Sequence, residues 1–392
     1  MQIRQIAGSR TGKIMGKLQQ WFGVKMMCRV KFVGGILLHP IAKIKEIKKI
    51  NKLINMAYRA SIKNMDTWKA ISRKLIWTTN DVSIYDMLEI FWQTELKLIK
   101  SCDIQTDAPI VVCAVKDDLT RIREFMKHYR KLGVEKFIMI DNGSCDGTEE
   151  FLAEQDDVLL YKTEEKYNSR KKTAWVNLAI AINGIEQWYL IVDSDEFFAY
   201  PKMEKISITD YAKALKDKGM LQVKTFMLDM YPEGRLCDES KDSEHFIEDY
   251  CYFDKDSDFY WYVQESGIAG GGLHARLFGL DKDPRTKISM IYYGKKRLVV
   301  GSHHMFPLEE DIETPIGGVV KHYKFLPNDG SKIDKIVSDG NYANGSRMYK
   351  KYQNVLKNDG GVSAFYDGSV KWDDKDAFDS LGFVQDLFRM KE

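Results

Sequence analysis

The sequence lacks the features of a secreted or membrane-spanning chain. Nowhere in its 392 residues do about 18 apolar residues follow one another, as a transmembrane helix requires. The first residues show no charged region followed by the apolar stretch of about 7 to 15 residues that marks a secretion signal. The six cysteines are scattered without C-x-x-C or zinc-like spacing, which favours a reducing compartment. We therefore expect a cytoplasmic protein.

Further absences narrow the functional classes. The chain has no internal repeat and no low-complexity tract. No basic strand interleaved with aromatic residues and no helix-turn-helix pattern is present, so nucleic acid is not an expected partner. The segment "AVKDDLTR", which follows a predicted strand, contains no glycine-rich phosphate loop. A nucleotidyltransferase normally opens with such a loop, so its absence disfavours that class.

Charge is distributed unevenly, although the whole chain carries a net charge of only +2. Residues 1–80 contain 17 Lys and Arg and two acidic residues, a net charge of +15 that leaves −13 for residues 81–392. Apolar residues recur among these lysines at roughly helical intervals, so we predict a basic helical N-terminal extension over residues 1–105. Two interpretations stay open: the helices pack on the following domain with solvated lysine faces, or they attach to an anionic membrane leaflet.

Strand-like and helix-like segments alternate between residues 109 and 192. Short apolar runs predict four buried strands, "PIVVCAV", "KFIMI", "DVLLY" and "WYLIV", and the segments "LTRIREFMKHYRKLG" and "SRKKTAWVNLAIAING" predict helices between them. This order favours a parallel sheet, in which ligands bind beyond the carboxyl ends of the strands. The polar clusters at residues 116–118, 141–146 and 193–196 should therefore line one crevice.

The cluster at residues 193–196 carries the most informative motif. The sequence contains five D-x-D pairs, but only Asp193 and Asp195 follow a predicted buried strand. Two carboxylates at this place suit Mg²⁺ or Mn²⁺, because few protein ligands leave coordination positions for phosphate oxygens and water. A cation there would neutralise the charge of a leaving diphosphate. The alternative is a pair of strand-end acids that are solvated or cap a turn.

Several ordered motifs resemble one enzyme family. The segment "VKDDLTRIREFMKHYRKLGVEKFIMIDNGSCDGTEEFL", followed by "WYLIVDSDEFF", "FMLDMYPEG", "GGLHARLFG", "GSHHMF" and "KHYKFL", resembles the bacterial family 2-like glycosyltransferases with a D-x-D motif. The resemblance covers roughly residues 107–385 and implies an α/β GT-A fold, which is Rossmann-like with a mostly parallel central sheet and flanking helices. We place this domain at residues 106–330 and a helical C-terminal appendage at residues 331–392.

The resemblance implies a nucleotide-sugar site along the predicted crevice. Asp141 matches the position that contacts the nucleotide base, and Val115 and Asp117 match the wall around base and ribose. Lys172 and Asn177 lie on the segment that matches the donor-facing helix of this family. One departure is Asp117, where Asn is commoner. The implied donor is a UDP-sugar.

The metal ligands and the catalytic base come from different parts of the chain. The resemblance implies Asp195 as the principal metal ligand and Asp193 as the second carboxylate, near the ribose or a bound water. GT-A enzymes often add a histidine, and His322, at the end of an apolar run, is our first choice. An inverting transfer needs a base within reach of the acceptor hydroxyl, and Glu265 and His304 are the candidates.

These predictions combine into one function with two alternatives. We expect a metal-dependent, inverting glycosyltransferase of the hexosyltransferase type that moves a sugar from a UDP-sugar to a surface polysaccharide or lipid-linked glycan. Arg276 would bind the diphosphate or an acidic acceptor. A membrane-associated acceptor would give residues 1–80 a purpose and place the protein on the inner face of the membrane. The alternatives are a nucleotidyltransferase of sugar phosphates and a catalytically silent sugar-binding or scaffolding protein.

Overall fold

The computed structural model describes residues 94–388 apart from residues 185, 242, 256–258, 264–267, 295–296, 301–303, 307–313, 341–342 and 358–360. Most of the predicted N-terminal extension lies outside these described residues, as does the candidate base Glu265. Within the described part of the chain, no helix is both long enough and apolar enough to cross a membrane.

Strands and helices occupy most of the described chain. The strands, in chain order, are β1 Lys97–Lys100, β2 Ile110–Val115, β3 Phe137–Asp141, β4 Val158–Lys162, β5 Gln187–Ile191, β6 Glu196–Ala199, β7 Gln222–Asp229, β8 Tyr252–Asp254, β9 Trp261–Val263, β10 Ile268–Gly270, β11 Thr286–Tyr293, β12 Leu298–Val300, β13 His304–Phe306, β14 Ile316–His322 and β15 Ser369–Lys371. The α-helices are α1 Leu119–Leu132, α2 Thr148–Glu154, α3 Ser169–Asn183, α4 Ile208–Asp217, α5 Phe246–Asp249, α6 Leu273–Phe278, α7 Asp329–Asp339 and α8 Ala343–Lys357.

Nine of the described strands form one sheet, in the order β1-β4-β3-β2-β5-β11-β7-β14-β6. The strands β2, β3, β4 and β5 pair in parallel, as the sequence predicts. Strand β11 is antiparallel to β5 and β7, and the edge strands β1 and β6 are antiparallel to their neighbours. Since β7 and β14 pair in parallel, six of the nine strands run in one direction. The fold is a mixed α/β architecture with a Rossmann-like sheet.

Helix α1 shows how sequence spacing determines packing. Ile122, Phe125, Met126 and Tyr129 recur every three or four residues, and all four are fully buried against the sheet. Gly133 ends the helix with a φ of 99°, a conformation that residues with a Cβ rarely adopt. Because α1 begins directly after β2, its first turn lies at the carboxyl edge of the parallel strands.

Apolar layers cover both faces of the sheet. One layer contains side chains of α1, α2 and α4, and the other contains those of α3 and of the β12–β13 hairpin. A third cluster joins α6, α7 and α8. Leu381 and Leu387, near the carboxyl end of the described chain, are fully buried in the first layer. Residues beyond 330 therefore complete the core of the central domain as well as adding helices to it.

Candidate functional site

The loop that follows β5 carries Asp193 and Asp195, and Glu196 braces it. One Glu196 carboxylate oxygen, Oε2, accepts a hydrogen bond from the Asp193 backbone N–H at 2.9 Å and pairs with Lys287 Nζ at 2.6 Å. Phe197, the next residue, is fully buried in the core. Glu196 itself is only 1% exposed, so its side chain also lies inside the protein. Glu196 thereby links the backbone at Asp193 to Lys287 of β11.

Asp193 is paired with a lysine from helix α3. The Nζ of Lys172 contacts Asp193 Oδ1, and both side chains are largely shielded from solvent. Burial alone would raise the pKa of Asp193, but Lys172 and then Lys287 outweigh it and hold that pKa below its usual value. The structure therefore brings two residues of the predicted site, Lys172 and Asp193, into direct contact.

Asp195, in the loop that follows β5, contacts residues at the end of β14. Its Oδ2 is 3.0 Å from Lys324 Nζ and 3.5 Å from His322 Nε2, and its carbonyl oxygen accepts a hydrogen bond from the Tyr323 N–H at 2.9 Å. Burial opposes ionisation, but Lys324 and His322 outweigh it and hold the pKa of Asp195 well below its usual range. The pairing of β6 with β14 places these residues together.

His322 presents its two ring nitrogens to two different carboxylates. Nδ1 lies 2.7 Å from Asp229 Oδ1, and Nε2 lies 3.5 Å from Asp195 Oδ2. Burial lowers the pKa of His322, but Asp195 and Asp229 together raise it above the usual value. The predicted metal ligands Asp195 and His322 therefore meet, although 127 residues separate them in the sequence.

Asp141 occupies the end of β3, two strands away from Asp193. Its Oδ2 accepts hydrogen bonds from the backbone N–H groups of Gly143 at 2.9 Å and Ser144 at 3.0 Å. Its Oδ1 is buried and has no hydrogen-bond partner among the described residues. A buried acceptor without a partner costs free energy, so this oxygen is suited to a donor group of a ligand.

Val115 and Asp117 connect the loops after β2 and β3. The carbonyl oxygen of Val115 accepts from the Asn142 N–H at 2.9 Å, and Asp117 Oδ1 accepts from the Cys145 N–H at 2.8 Å. Asp117 has a φ of 49°, in the left-handed region where Asn and Asp are the commonest residues with a Cβ. Both residues therefore bond to the loop that follows Asp141, and their role beside a base and ribose stays a prediction.

Asn177 is turned away from the acidic loop. Its Oδ1 accepts from the Val299 N–H at 3.1 Å and from the Tyr293 hydroxyl at 3.0 Å. Its Nδ2 donates to the carbonyl oxygens of Thr173 and Val299. With two donors and two acceptors used inside the protein, the side chain holds the β12–β13 hairpin against α3 and has no bond left for a donor sugar.

Arg276 is engaged in a different part of the fold. Its guanidinium makes two hydrogen bonds to the Asp254 carboxylate, at 2.7 and 3.1 Å, and donates to the Ala364 carbonyl oxygen at 2.7 Å. It also lies 4.2 Å from the centroid of the Tyr366 ring. These contacts attach the C-terminal segment to β8, and they use three of the five guanidinium N–H groups.

Only one of the two candidate bases lies in the described part of the chain. Glu265 lies outside the described residues. His304 begins β13, and its backbone pairs with Val300 of β12 in the hairpin that Asn177 holds. Both residues stay predictions.

Asp118, from the predicted polar cluster at residues 116–118, bonds to the loop after β5, and sequence reasoning missed its two basic partners, Arg121 and Lys332. Asp118 Oδ2 accepts a hydrogen bond from Ser194 Oγ, inside the D-x-D motif, and Asp118 Oδ1 is 2.9 Å from Arg121 Nη1 and 3.2 Å from Lys332 Nζ. Arg121 Nε donates to the Tyr323 carbonyl oxygen at 2.9 Å. Arg121 falls on the apolar face of the predicted helix, and an arginine at such a position is a sequence signal that could have identified this set.

Asp195 and His322 fit a divalent cation as two of its ligands. A carboxylate oxygen and an imidazole nitrogen are suitable donors for Mn²⁺, and their 3.5 Å separation is close to that of two ligands of one ion. Within the described residues, no three His, Cys, Asp or Glu side chains converge as a complete metal cage. Lys324 Nζ contacts the same Asp195 oxygen, so it would have to release it.

Comparison with known proteins adds little to this geometry. No protein-family model and no curated protein matches the sequence. A mannosyltransferase, PcManGT from Pyrobaculum calidifontis in complex with GDP-Man and Mn²⁺, matches at 15% identity and a TM-score of 0.22, over 39% of this chain and 45% of that chain. HddC from Yersinia pseudotuberculosis matches at 11% identity and a TM-score of 0.24, over 47% of this chain and 74% of that chain. This chain thus spans less than half of the mannosyltransferase.

Proposed function

We propose that this chain is a metal-dependent glycosyltransferase of the GT-A type that uses a nucleotide-sugar donor. The observation that carries the proposal is the meeting of Asp195 and His322 at the carboxyl edge of the sheet, 3.5 Å apart and largely buried. An ion pair that only stabilises the fold could lie at any place in the protein. In open α/β sheets the carboxyl edge is the one at which ligands bind.

The nucleotide end of the donor would lie beside Asp141. Two strand spacings of about 4.8 Å separate β3 from β5, so Asp141 and Asp193 lie on the order of 10 Å apart along the edge of the sheet. The unpartnered Oδ1 of Asp141 can accept a ring N–H, and uracil offers such a donor at its hydrogen-bonding edge. This chemistry supports a UDP-sugar, with Val115 and Asp117 beside the ribose.

The diphosphate would lie beside Asp193 and Asp195. The cation, once bound, would neutralise the charge that develops on the leaving diphosphate. Lys324 currently contacts Asp195, and Lys172 contacts Asp193. With a cation bound at the acids, these two ammonium groups would be available to bind phosphate oxygens. Charged donors already fixed in a partly buried site stabilise such a leaving group effectively.

The acceptor side of the proposal rests on the sequence. Glu265 and His304 are the proposed bases for the acceptor hydroxyl in an inverting transfer. A surface-polysaccharide or lipid-linked glycan is the proposed acceptor, because residues 1–80 would hold the chain on an anionic membrane. We therefore propose that the protein is cytoplasmic and lies peripherally on the inner face of the membrane.

Hydrolysis of nucleotide sugars tests the proposal. Purified full-length protein is incubated with a panel of nucleotide sugars and Mn²⁺, alongside Asp195→Asn and the control Asp281→Asn. Asp281 begins another D-x-D pair and is exposed. We expect release of sugar from a UDP-sugar by the wild type and by the control, and a loss of at least about 100-fold in Asp195→Asn.

Other outcomes would contradict the proposal. Consumption of a sugar 1-phosphate together with a nucleoside triphosphate would indicate a nucleotidyltransferase. Binding of donors without turnover, with every acceptor tried, would indicate a sugar-binding module. Equal hydrolysis by Asp195→Asn and the wild type would remove the metal site from the mechanism.

A further inference from the structure

His322 belongs to a cluster of buried charged and polar side chains that extends from its Nδ1 atom, on the side away from Asp195. Its members come from four elements and the segment before β11, and each is at most 6% exposed: Asp229, His274, Arg285, His322 and Tyr352. Burying charges is costly even when they are paired, and an apolar cluster of the same volume is often as stable. Stabilisation of the fold alone therefore does not explain why these side chains are charged.

Asp229 is the centre of this cluster. Its Oδ1 lies 2.7 Å from His322 Nδ1 and 2.7 Å from Arg285 Nη2, and its Oδ2 contacts His274 Nδ1. Both carboxylate oxygens are thus occupied. The guanidinium of Arg285 and the two imidazole rings therefore hold the Asp229 side chain in one orientation. The group is a fixed carboxylate.

His274 is held in one tautomer. Burial and the neighbouring Arg285 lower its pKa to about 4, so the ring is neutral at pH 7. Its Nδ1 faces a carboxylate and must donate, which leaves Nε2 to accept a hydrogen bond from the Tyr352 hydroxyl at 2.5 Å. Tyr352 on α8 thereby fixes His274, and His274 fixes the orientation of Asp229.

The fixed orientation of Asp229 also determines the orientation of the His322 ring. Because Nδ1–H donates to Asp229, Nε2, the nitrogen that faces Asp195, is the ring atom that would be available to a cation. Imidazoles that bind metals usually donate their other N–H to a carboxylate, which sets both ring orientation and tautomer. The parallel register of β7 and β14, which pairs Asp229 with His322, builds this arrangement into the sheet.

We propose that Asp229, held by His274 and Arg285, is a positioning residue that fixes His322 Nε2 as a metal ligand. This inference rests on the metal site of the proposed function. It assigns one purpose to three separate motifs, "FMLD", "GLHAR" and "KHYKF", which contribute Asp229, His274 and His322.

Binding of Mn²⁺ tests this role without any assay of activity. The electron paramagnetic resonance signal of free Mn²⁺ is measured in titrations of the full-length wild type, Asp229→Asn and Asp254→Asn. Asp254 is a matched control, because it is a carboxylate that is 1% exposed and pairs with an arginine, Arg276, rather than with a histidine. Loss of a carboxylate that orients a metal-binding histidine typically weakens metal binding by about 10 to 100-fold. We expect that change in Asp229→Asn and less than about a twofold change in Asp254→Asn.

A second pair of variants decides the question where Asp229→Asn does not fold. His274→Leu removes the donor to Asp229, whereas His274→Asn keeps an N–H at the equivalent place. We expect weaker Mn²⁺ binding in His274→Leu, on the order of 10-fold, and recovery in His274→Asn. Equal affinities in that pair, or wild-type affinity in a folded Asp229→Asn, would overturn the positioning role alone. No Mn²⁺ binding by the wild type would overturn the proposed metal site and this role with it.

Discussion

Arg121 offers the sharpest test of how the site is held together. Its guanidinium lies on α1 and is 5% exposed. It pairs with Asp118 at 2.9 Å, contacts Asp329 at the start of α7, and donates through Nε to the Tyr323 carbonyl oxygen at 2.9 Å. One side chain thus joins the loop after β2, the end of β14 and the C-terminal helices.

Replacement of Arg121 by Met leaves buried carboxylates without their partner. Asp118 keeps Lys332 at 3.2 Å, but Asp329, which is 6% exposed, loses the ionic contact that Arg121 provides. Removing one partner of a buried ion pair costs about 3 to 5 kcal/mol. Against the total stability of about 5 to 15 kcal/mol that is typical of proteins, this is a large loss.

Urea unfolding, followed by tryptophan fluorescence, measures the effect. Arg130→Met is the matched control: Arg130 lies on the same helix and bonds both oxygens of Asp157, but its side chain is 38% exposed. An exposed pair contributes less than about 1 kcal/mol. We expect the unfolding midpoint to fall by about 1 M or more in Arg121→Met and by much less in Arg130→Met. Equal shifts in the two variants would refute the reasoning.

Two further predictions concern pH and membranes. Burial and Lys321 lower the pKa of His128 in the folded protein to about 3. Between about pH 6.5 and pH 3 the unfolded chain therefore binds a proton at His128 that the folded protein does not bind. The free energy of unfolding should fall as the pH is lowered through this range. His128→Gln, which can still donate to the Phe198 carbonyl oxygen, should lose less stability between pH 7 and pH 4 in urea titrations; equal losses would contradict this. The full chain should bind anionic vesicles in a salt-sensitive way, and deletion of residues 1–80 should abolish that binding; undiminished binding by the truncated chain would contradict it.

The sequence predicts the parts of this fold that are local. The apolar run before Asp193 forms β5, and the helical spacing from residue 119 forms α1, within one residue of the predicted bounds. These features depend on side-chain period and on the glycine that ends α1, which are read from neighbouring residues. The position of the two aspartates at the carboxyl edge follows directly from them.

The sequence does not predict the partners that lie far apart in the chain. Asn177 was expected to face the donor, but Val299, 122 residues away, occupies its amide. Arg276 was expected at the diphosphate, but Asp254 and Ala364 hold it elsewhere. Such contacts depend on the order of strands in the second half of the sheet, where β11 runs antiparallel between β5 and β7. No local pattern encodes that order.

The position of Mn²⁺ in a crystal grown with UDP tests the central claim most directly. Anomalous scattering at the manganese edge locates the ion independently of the protein atoms. We predict one peak within about 2.2 Å of an Asp195 carboxylate oxygen and of His322 Nε2, with the uracil beside Asp141. A peak at other residues, or UDP bound away from the carboxyl edge of β3 and β5, would contradict the account.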